Sequence, residues 1–216
     1  MSARRLTALL AGASGLVGSE CLRCLLHETA YATVVLVTRR DLGAVAKHRK
    51  VRQVVCDFAR LETVADTLRA DHVFCALGTT IRKAGSQAKF REVDYEYPSR
   101  LARMTRSQGA THFSLVSALG ADRRSPFFYS RVKGELEEAV GSMGWPSLCI
   151  VRPSVIAGER AEPRPLERLA EHALRLAPRT WRPVPARQIA AVMVKTALHA
   201  TAGTTVIESR DIANFA

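Results

Sequence analysis

No segment of this 216-residue sequence is apolar for long enough to cross a lipid bilayer. A membrane-spanning helix needs about 20 largely apolar residues, and Arg, Lys, Asp or Glu interrupts every candidate segment. We therefore expect no membrane contact. Aromatic residues are also scarce, at 6%, but 47% of the residues are hydrophobic, which is enough for one substantial core. We expect residues 1–216 to form one domain.

Cysteines are too few and too scattered for a disulfide framework. The chain has five, an odd number, all within apolar segments: Cys21, Cys24, Cys56, Cys75 and Cys149. Cys21 and Cys24 form a C-x-x-C, but no second Cys/His pair stands at zinc-finger spacing. We interpret them as buried helix residues and expect no metal. Reduced thiols favour a cytoplasmic location.

Acidic residues are outnumbered, at 20 against 32 for Lys and Arg, which gives a net charge of +12 and a pI of about 10.2. This excess favours partners that carry phosphate. The arginines, however, are spread along the chain more than clustered. The densest patch, KHRKVR at 47–52, is typical of a solvated loop or helix end, and we do not expect nucleic acid as a partner.

Strand-like and helix-like segments alternate along most of the chain. Apolar segments such as TVVLV at 33–37 and HVFCAL at 72–77 are separated by helical stretches, the longest predicted over 86–108. Continuous apolar strands are typical of a parallel sheet covered on both faces. The sequence therefore predicts an α/β fold, a Rossmann-type doubly wound parallel sheet of about seven strands with helices on both faces and a small C-terminal substrate lobe.

A segment rich in proline and arginine, residues 157–185, interrupts this alternation. We interpret it as a lid or substrate segment folded over the domain. Its arginines suggest an acidic group on the ligand, although outward-facing side chains explain them equally well; they are Arg160, Arg164, Arg168 and Arg175.

The stretch LTALLAGASGLVGSECLRCLL at 6–26 admits two interpretations. A secretion signal would need a longer apolar core and a small-residue cleavage site, whereas this apolar run breaks after a handful of residues. Glycines spaced G-x-x-G-x-x-G between a strand and a helix favour a dinucleotide-binding loop, since they permit positive φ and close backbone approach to a pyrophosphate at the helix N-terminus. The predicted cofactor-binding residues here are Gly12, Ser14, Gly15, Leu16, Val17 and Gly18.

The end of the second predicted strand indicates which dinucleotide binds. A carboxylate at this point would accept hydrogen bonds from the ribose hydroxyls of NAD, but the chain has Thr38, Arg39 and Arg40. Two guanidiniums match a 2′-phosphate through charge-assisted contacts. We therefore favour NADP(H), while the neighbouring Asp41 keeps NAD(H) open.

Ser117, Tyr129 and Lys133 form a candidate catalytic set. Tyr129 and Lys133 are four residues apart in FFYSRVKGE and share one face of a predicted helix, while Ser117 stands at the tip of the fifth strand. A phenol with an ordinary pKa of about 10 is a poor base at neutral pH, but an adjacent ammonium favours the phenolate. Tyr129 would relay the proton, Ser117 would hydrogen-bond the substrate oxygen, and Lys133 would also hold the cofactor ribose.

In this order and spacing, the glycine loop, the serine and the Tyr-x-x-x-Lys pair resemble the short-chain dehydrogenase/reductase superfamily over nearly the whole chain. The stretches CALGTT, FREVDYEY, SALGAD, YSRVKGELE and VRPSVIAGE are similar to the atypical branch that includes the Tat-interacting oxidoreductase-like proteins. The resemblance implies a Rossmann fold that binds NADP(H), and a homodimer interface formed by the two long helices.

The resemblance also implies further cofactor contacts. These are Cys75, Ala76, Leu77 and Gly78 beside the cofactor, Asp57 and Phe58 near the adenine, and Arg152, Pro153 and Val155 near the nicotinamide. The sequence departs from the superfamily at Asp94, where many members have an asparagine. A proton relay through that position is therefore left open.

Two functions are compatible with these patterns. The complete set of Ser117, Tyr129 and Lys133 favours an NADP(H)-dependent oxidoreductase that acts on a small carbonyl or alcohol substrate. The alternative is an NADP(H)-binding regulatory or sensor protein with little or no turnover, because the resemblance extends to proteins of that kind.

Overall fold

A parallel β-sheet forms the centre of the computed structural model, which describes residues 5–157 and 182–215. The strands of the described residues are β1 (Leu6–Ala11), β2 (Tyr31–Thr38), β3 (Val51–Val55), β4 (His72–Cys75), β5 (His112–Val116), β6 (Ser147–Arg152), β7 (Ile156–Ala157), β8 (Val184–Pro185) and β9 (Gly203–Glu208). Seven of them pair in the order β3-β2-β1-β4-β5-β6-β9, and every pairing is parallel. β7 and β8 form a separate two-stranded sheet.

Helices connect the strands and cover both faces of the sheet. The α-helices of the described residues are α1 (Leu16–His27), α2 (Ile81–Ala84), α3 (Gln87–Arg91), α4 (Tyr97–Ser107), α5 (Phe128–Gly141), α6 (Ala186–Leu198) and α7 (Ile212–Phe215). A π-helical turn over Glu92–Glu96 joins α3 to α4, and 3₁₀ turns cover Gly43–Lys47 and Phe58–Thr67. In the part of the chain that the structure describes, none of the helices is long and apolar enough to span a membrane.

The strands bury apolar side chains on both sides, as the alternation of a β-strand requires. Ala8 and Leu10 of β1 pack into one core with α1 and α6, whereas Leu9 and Ala11 pack into a second core with α4 and α5. This arrangement confirms the predicted α/β class and the seven-stranded doubly wound sheet. It also explains why the strands read as continuous apolar runs.

Some local structure differs from the sequence-based expectation. The segment between β3 and β4 is not a regular α-helix, because its 3₁₀ stretch over Phe58–Thr67 breaks at Arg60, where φ is −129° and ψ is 39°. Asp57 begins this stretch by accepting a hydrogen bond from the Ala59 N–H at 2.9 Å. Of the stretch only Phe58 and Leu61 are buried, which gives little apolar surface to hold a regular α-helix. The pairing of β7 with β8 and the short α7 were not predicted.

A buried hydrogen-bond network lies at the amino-terminal ends of the strands. The Tyr31 hydroxyl is 2.8 Å from Nδ1 of His72. His112 lies 2.9 Å from Oγ of Ser147 through Nδ1 and 2.8 Å from Oγ of Ser114 through Nε2. The two histidine rings are 5.5 Å apart. Burial lowers the pKa of both rings, that of His112 to about 3 with a further contribution from His72.

We expect the free energy of unfolding to fall as the pH drops from 6.5 towards 3. Over this range the unfolded state binds a proton that folded His112 does not, which costs about 1.4 kcal/mol per pH unit. Urea unfolding at a series of pH values measures the slope. His112→Gln cannot titrate and should flatten it, whereas His27→Gln, at an exposed position, should keep the wild-type slope. A His112→Gln protein with the wild-type slope would contradict this assignment.

Candidate functional site

The loop between β1 and α1 is held by contacts that only glycine allows. Gly12 has a φ of +92°, and a Cβ there would overlap the backbone carbonyl of Ala76. A Cβ at Gly18 would overlap the carbonyl of Gly12 itself, so the first turns of α1 pack directly on the loop. The Gly15 N–H donates to the Gly12 carbonyl at 2.9 Å and completes a tight turn.

The start of α1 fits a negatively charged ligand. Gly15 is the N-cap residue, and no side chain of the described residues caps it. The first turn carries no acidic residue, so the positive end of the helix dipole is not neutralised there. Ser14 is exposed, Leu16 is partly exposed and Val17 is buried in the core. The backbone N–H groups of this turn, at the carboxyl end of β1, can hold a pyrophosphate.

The loop after β2 is shaped by one glutamine. The Gln53 Nε2 donates to Oγ1 of Thr38 at 2.6 Å and to the carbonyl of Arg40 at 2.9 Å. Arg39 and Arg40 are both exposed. Asp41 accepts a hydrogen bond from the Gly43 N–H at 2.9 Å, so its carboxylate has a local structural partner. Sequence reasoning missed Gln53. The available signal was a single amide side chain in a strand whose other residues are apolar or basic.

The residues after β3 and β4 line the same edge of the sheet. Cys75 is buried, and burial raises its pKa to about 11. Ala76 and Leu77 are partly exposed, and the Ala76 N–H extends the pairing of β1 with β4 by donating to Ala11 at 2.9 Å. The ring of Phe58 is buried and stacks on Tyr97 at 5.7 Å, so only its backbone faces this edge.

Ser117 and Tyr129 lie beyond the carboxyl end of β5. The Ser117 N–H donates to the Val151 carbonyl at 2.8 Å, and the Leu119 N–H donates to Pro153 at the same distance. Oγ of Ser117 is buried and has no hydrogen-bond partner among the described residues. An unpaired buried hydroxyl costs about 1–3 kcal/mol, which suits a group that bonds a ligand. Tyr129 is 37% exposed, and its ring packs on Phe90 at 5.5 Å.

Lys133 and Asp94 form a buried ion pair. Nζ of Lys133 is 2.7 Å from Oδ1 of Asp94, and their side chains are 5% and 1% exposed. The other carboxylate oxygen, Oδ2, accepts a hydrogen bond from the Thr79 N–H at 2.8 Å. Asp94 comes from the π-helical turn and Lys133 from α5, one helical turn after Tyr129. A Cβ on Gly78 would lie 3.8 Å from Nζ of Lys133, which places the loop after β4 against the pair.

The ion pair sets the electrostatics of the tyrosine. Burial alone would lower the pKa of Lys133, but Asp94 outweighs it and the pKa is raised. Burial also raises the pKa of Tyr129; the Lys133 ammonium opposes the rise and the Asp94 carboxylate adds to it. The sequence predicts that the Lys133 ammonium favours the phenolate, but in the structure burial outweighs the lysine and the pKa of Tyr129 is raised. The charge of the lysine is also shared with Asp94, a carboxylate that the sequence pattern did not pair with it.

Arg152, expected near the nicotinamide, is held on the face of the sheet that α5 covers. Its Nη2 is 2.5 Å from Oε2 of Glu137 on α5, and its Nη1 is 2.9 Å from Oε1 of Glu208 on β9. Hydrogen bonds to Glu137 raise the pKa of the Arg152 guanidinium more than any other contact does. The guanidinium therefore has two partners within the fold, and neither carboxylate was singled out in the sequence. Val155, two residues beyond Pro153, is 42% exposed.

Two further expectations concern the lid segment and the cysteines. The arginines of the expected lid, Arg160, Arg164, Arg168 and Arg175, lie outside the described residues, as does most of the segment 157–185. Within 5–157 and 182–215, no three His, Cys, Asp or Glu side chains come together as a metal site. The described cysteines are unpaired thiols, and Cys21 lies buried in α1.

Comparison with known proteins points to one family. Residues 12–200 match the NAD(P)H-binding family. The Protein HTATIP2 of Rattus norvegicus is 38% identical over 172 residues, which cover 79% of this chain and 71% of that protein. The mitochondrial protein fmp52 of Aspergillus fumigatus is 36% identical over 165 residues, 73% of this chain and 70% of that protein.

Solved structures share the fold at low sequence identity. A short chain dehydrogenase family protein from Francisella tularensis has a TM-score of 0.69 at 14% identity, covering 98% of this chain and all of that one. The enzyme WbmG of Bordetella bronchiseptica, solved in complex with NAD, has a TM-score of 0.73 at 14% identity and covers 99% of this chain and 76% of that one. Both are Rossmann-type neighbours.

The expectation of a cytoplasmic location is wrong. Fungal relatives, among them those of Aspergillus niger, Candida albicans and Scheffersomyces stipitis, are named as mitochondrial proteins. The expectation rested on unpaired cysteines. Free thiols show that no disulfide framework is needed for the fold, and they do not distinguish one compartment from another.

Gly18→Ala should destabilise the glycine loop, because the new Cβ would overlap the Gly12 carbonyl. We expect a loss of about 1–3 kcal/mol in the free energy of unfolding, typical of overpacking, measured by urea unfolding. Gly141→Ala is the matched control, since Gly141 ends α5 and a Cβ there meets nothing within 4 Å. Equal stability of Gly18→Ala and Gly141→Ala would show that the loop is not packed this tightly.

Proposed function

The chain belongs to the NAD(P)H-binding family and to the atypical branch of the short-chain dehydrogenase/reductase superfamily, and on that premise we propose an NADP(H)-dependent oxidoreductase that acts on a small carbonyl or alcohol substrate. The observation that carries the proposal is a shared loop. Residues 76–78 contact the glycine loop at Gly12 and the ion pair at Lys133. A cofactor-binding turn and a tyrosine–lysine pair therefore meet at one edge of the sheet, where open α/β folds bind ligands.

The residues present fit a dinucleotide. The uncapped start of α1, at Gly15, suits the pyrophosphate, and the close contact between Gly12 and Ala76 leaves a cradle of bare backbone. Arg39 and Arg40 suit a 2′-phosphate, which supports NADP(H) over NAD(H). The hydrogen bond from Gly43 to Asp41 supports the same preference, because it occupies the carboxylate nearest to the end of β2.

The bound nicotinamide would supply the hydride. The side chains of this chain do the rest at the substrate oxygen. Oγ of Ser117, buried and without a hydrogen-bond partner among the residues that the structure describes, donates a hydrogen bond to that oxygen and orients it. Tyr129 is the group that exchanges a proton with the same oxygen, because the residue is partly exposed and lies one helical turn before Lys133. Lys133 holds a positive charge beside the phenol.

The substrate that we propose is a small molecule. We also propose that the chain forms a homodimer through α4 and α5. On α5, Glu135 pairs with Arg91 of α3 and Glu138 pairs with Arg123. A dimer interface here would therefore be polar at its margin.

Tyr129→Phe should lower the rate of NADPH oxidation with a responsive aldehyde or ketone by about 10²–10⁴-fold, because it removes the proton donor and keeps the ring. A carbonyl panel assayed by NADPH absorbance finds the substrate and measures the loss. Tyr95→Phe is the matched control, since the Tyr95 ring packs on Arg91 outside the site. Equal rates for Tyr129→Phe and wild type would instead favour the regulatory NADP(H)-binding protein.

Arg39→Ala combined with Arg40→Ala should weaken NADPH binding by about tenfold or more and leave NADH binding nearly unchanged. Each charge-assisted hydrogen bond to a 2′-phosphate contributes about 1.5–3 kcal/mol, and NADH lacks that phosphate. Titration calorimetry with both nucleotides gives the two dissociation constants. Arg23→Ala removes an exposed guanidinium from α1 and serves as the control. A parallel loss for both nucleotides would overturn the NADP(H) preference.

A further inference from the structure

We propose that Asp94 sets the direction in which this site works: by compensating the charge of Lys133, it keeps the phenol of Tyr129 protonated, so that the site acts as a carbonyl reductase at neutral pH. The inference rests on the proposed oxidoreductase function and deepens it. Asp94 is a positioning residue here, because it acts on the substrate through Lys133 and Tyr129.

The geometry of Asp94 makes its carboxylate a permanent partner of the lysine. Both side chains are almost fully buried, and Oδ1 lies 2.7 Å from Nζ. The Thr79 N–H holds Oδ2 at 2.8 Å, which fixes the carboxylate from the side of the loop after β4. A charge pair removed from water requires such bonds on both partners. An asparagine at this position would keep a similar shape but would carry no charge.

Among residues 5–157 and 182–215, few other charges reach the tyrosine. The titratable groups that interact with Lys133 are Asp94 on the π-helical turn, Tyr129 on its own helix and Cys75 at the end of β4. The Cys75 thiol is buried and neutral at physiological pH. The charge balance at the phenol is therefore that of one ammonium and one carboxylate. An ammonium alone would favour the phenolate, whereas the neutralised pair leaves burial of the ring as the larger influence.

A protonated phenol suits the reaction in one direction, the reduction of a carbonyl. In reduction, the O–H bond of Tyr129 breaks and its proton passes to the substrate oxygen, while the carbonyl carbon takes up the hydride, with its two electrons, that a bound reduced nicotinamide would supply. The phenolate then recovers a proton from solvent. In the reverse direction Tyr129 must first lose its proton, so alcohol oxidation requires alkaline pH.

The test is the titration of Tyr129 itself, without cofactor. Ultraviolet difference spectra between each protein and its Tyr129→Phe counterpart isolate one tyrosine among the four in the chain. We expect Asp94→Asn to lower the pH of phenolate formation, because a nearby ammonium that no carboxylate compensates shifts a pKa by roughly one unit or more. Alcohol oxidation by the loaded protein at neutral pH should rise by about tenfold, since one pKa unit changes the phenolate fraction tenfold.

Two further variants control for the loss of a charge elsewhere on α5 and for an unpaired buried charge. Glu135→Gln removes the same charge from α5 but faces Arg91 outside the site, and should leave the titration unchanged. Asp94→Asn combined with Lys133→Met removes both charges and no buried charge is left unpaired, so it should fold and titrate close to wild type. An unchanged or higher titration midpoint in folded Asp94→Asn, or a double variant far from wild type, overturns the inference. Absence of turnover with any carbonyl would overturn only the proposed function, because the titration does not depend on it.

Discussion

The buried ion pair between Lys133 and Asp94 is the contact on which the arrangement of the site depends. Ions removed from water are tolerated only when each has a close partner and its remaining hydrogen-bonding capacity is filled. Asp94 has the Lys133 ammonium 2.7 Å from one oxygen and accepts a hydrogen bond from the Thr79 N–H on the other. The pair therefore fixes three elements at once: the loop after β4, the π-helical turn and α5. Tyr129, one turn before Lys133, takes its place from the same helix.

The backbone contact between Gly12 and Ala76 extends this constraint to the cofactor side. Gly12 packs on the carbonyl of Ala76, and Gly78, two residues later, packs near Nζ of Lys133. A short, nearly bare stretch of backbone thus separates the expected phosphate-binding turn from the proton donor. Any displacement of the stretch would move both at once, and a side chain at Gly12 would force one, because its Cβ would overlap the Ala76 carbonyl. This close packing gives the glycines a physical reason that spacing alone did not supply.

The sequence predicted what depends on local pattern and missed what depends on long-range pairing. Continuous apolar strands and the glycine turn follow from short-range rules, and the seven-stranded sheet confirms the fold. The position of Asp94 was noted as a departure from the superfamily, but its pairing with Lys133 requires the π-helical turn, which no short motif announced. Arg152 was assigned by resemblance alone. Its two carboxylate partners come from 15 residues earlier and 56 residues later in the chain, beyond the reach of a local pattern.

The two edges of the sheet carry polar groups of opposite character. At the amino-terminal edge, His112 is hydrogen-bonded through both ring nitrogens and His72 through Nδ1, and both rings titrate only in acid, so they are neutral at physiological pH. At the carboxyl-terminal edge, Oγ of Ser117 has no hydrogen-bond partner within the described part of the chain, and Tyr129 is partly exposed. Saturated polar groups stabilise a fold, whereas unsatisfied ones retain capacity for a ligand. His72 and Cys75 are the first and last residues of β4, so the same strand contributes to stability at one end and to the site at the other.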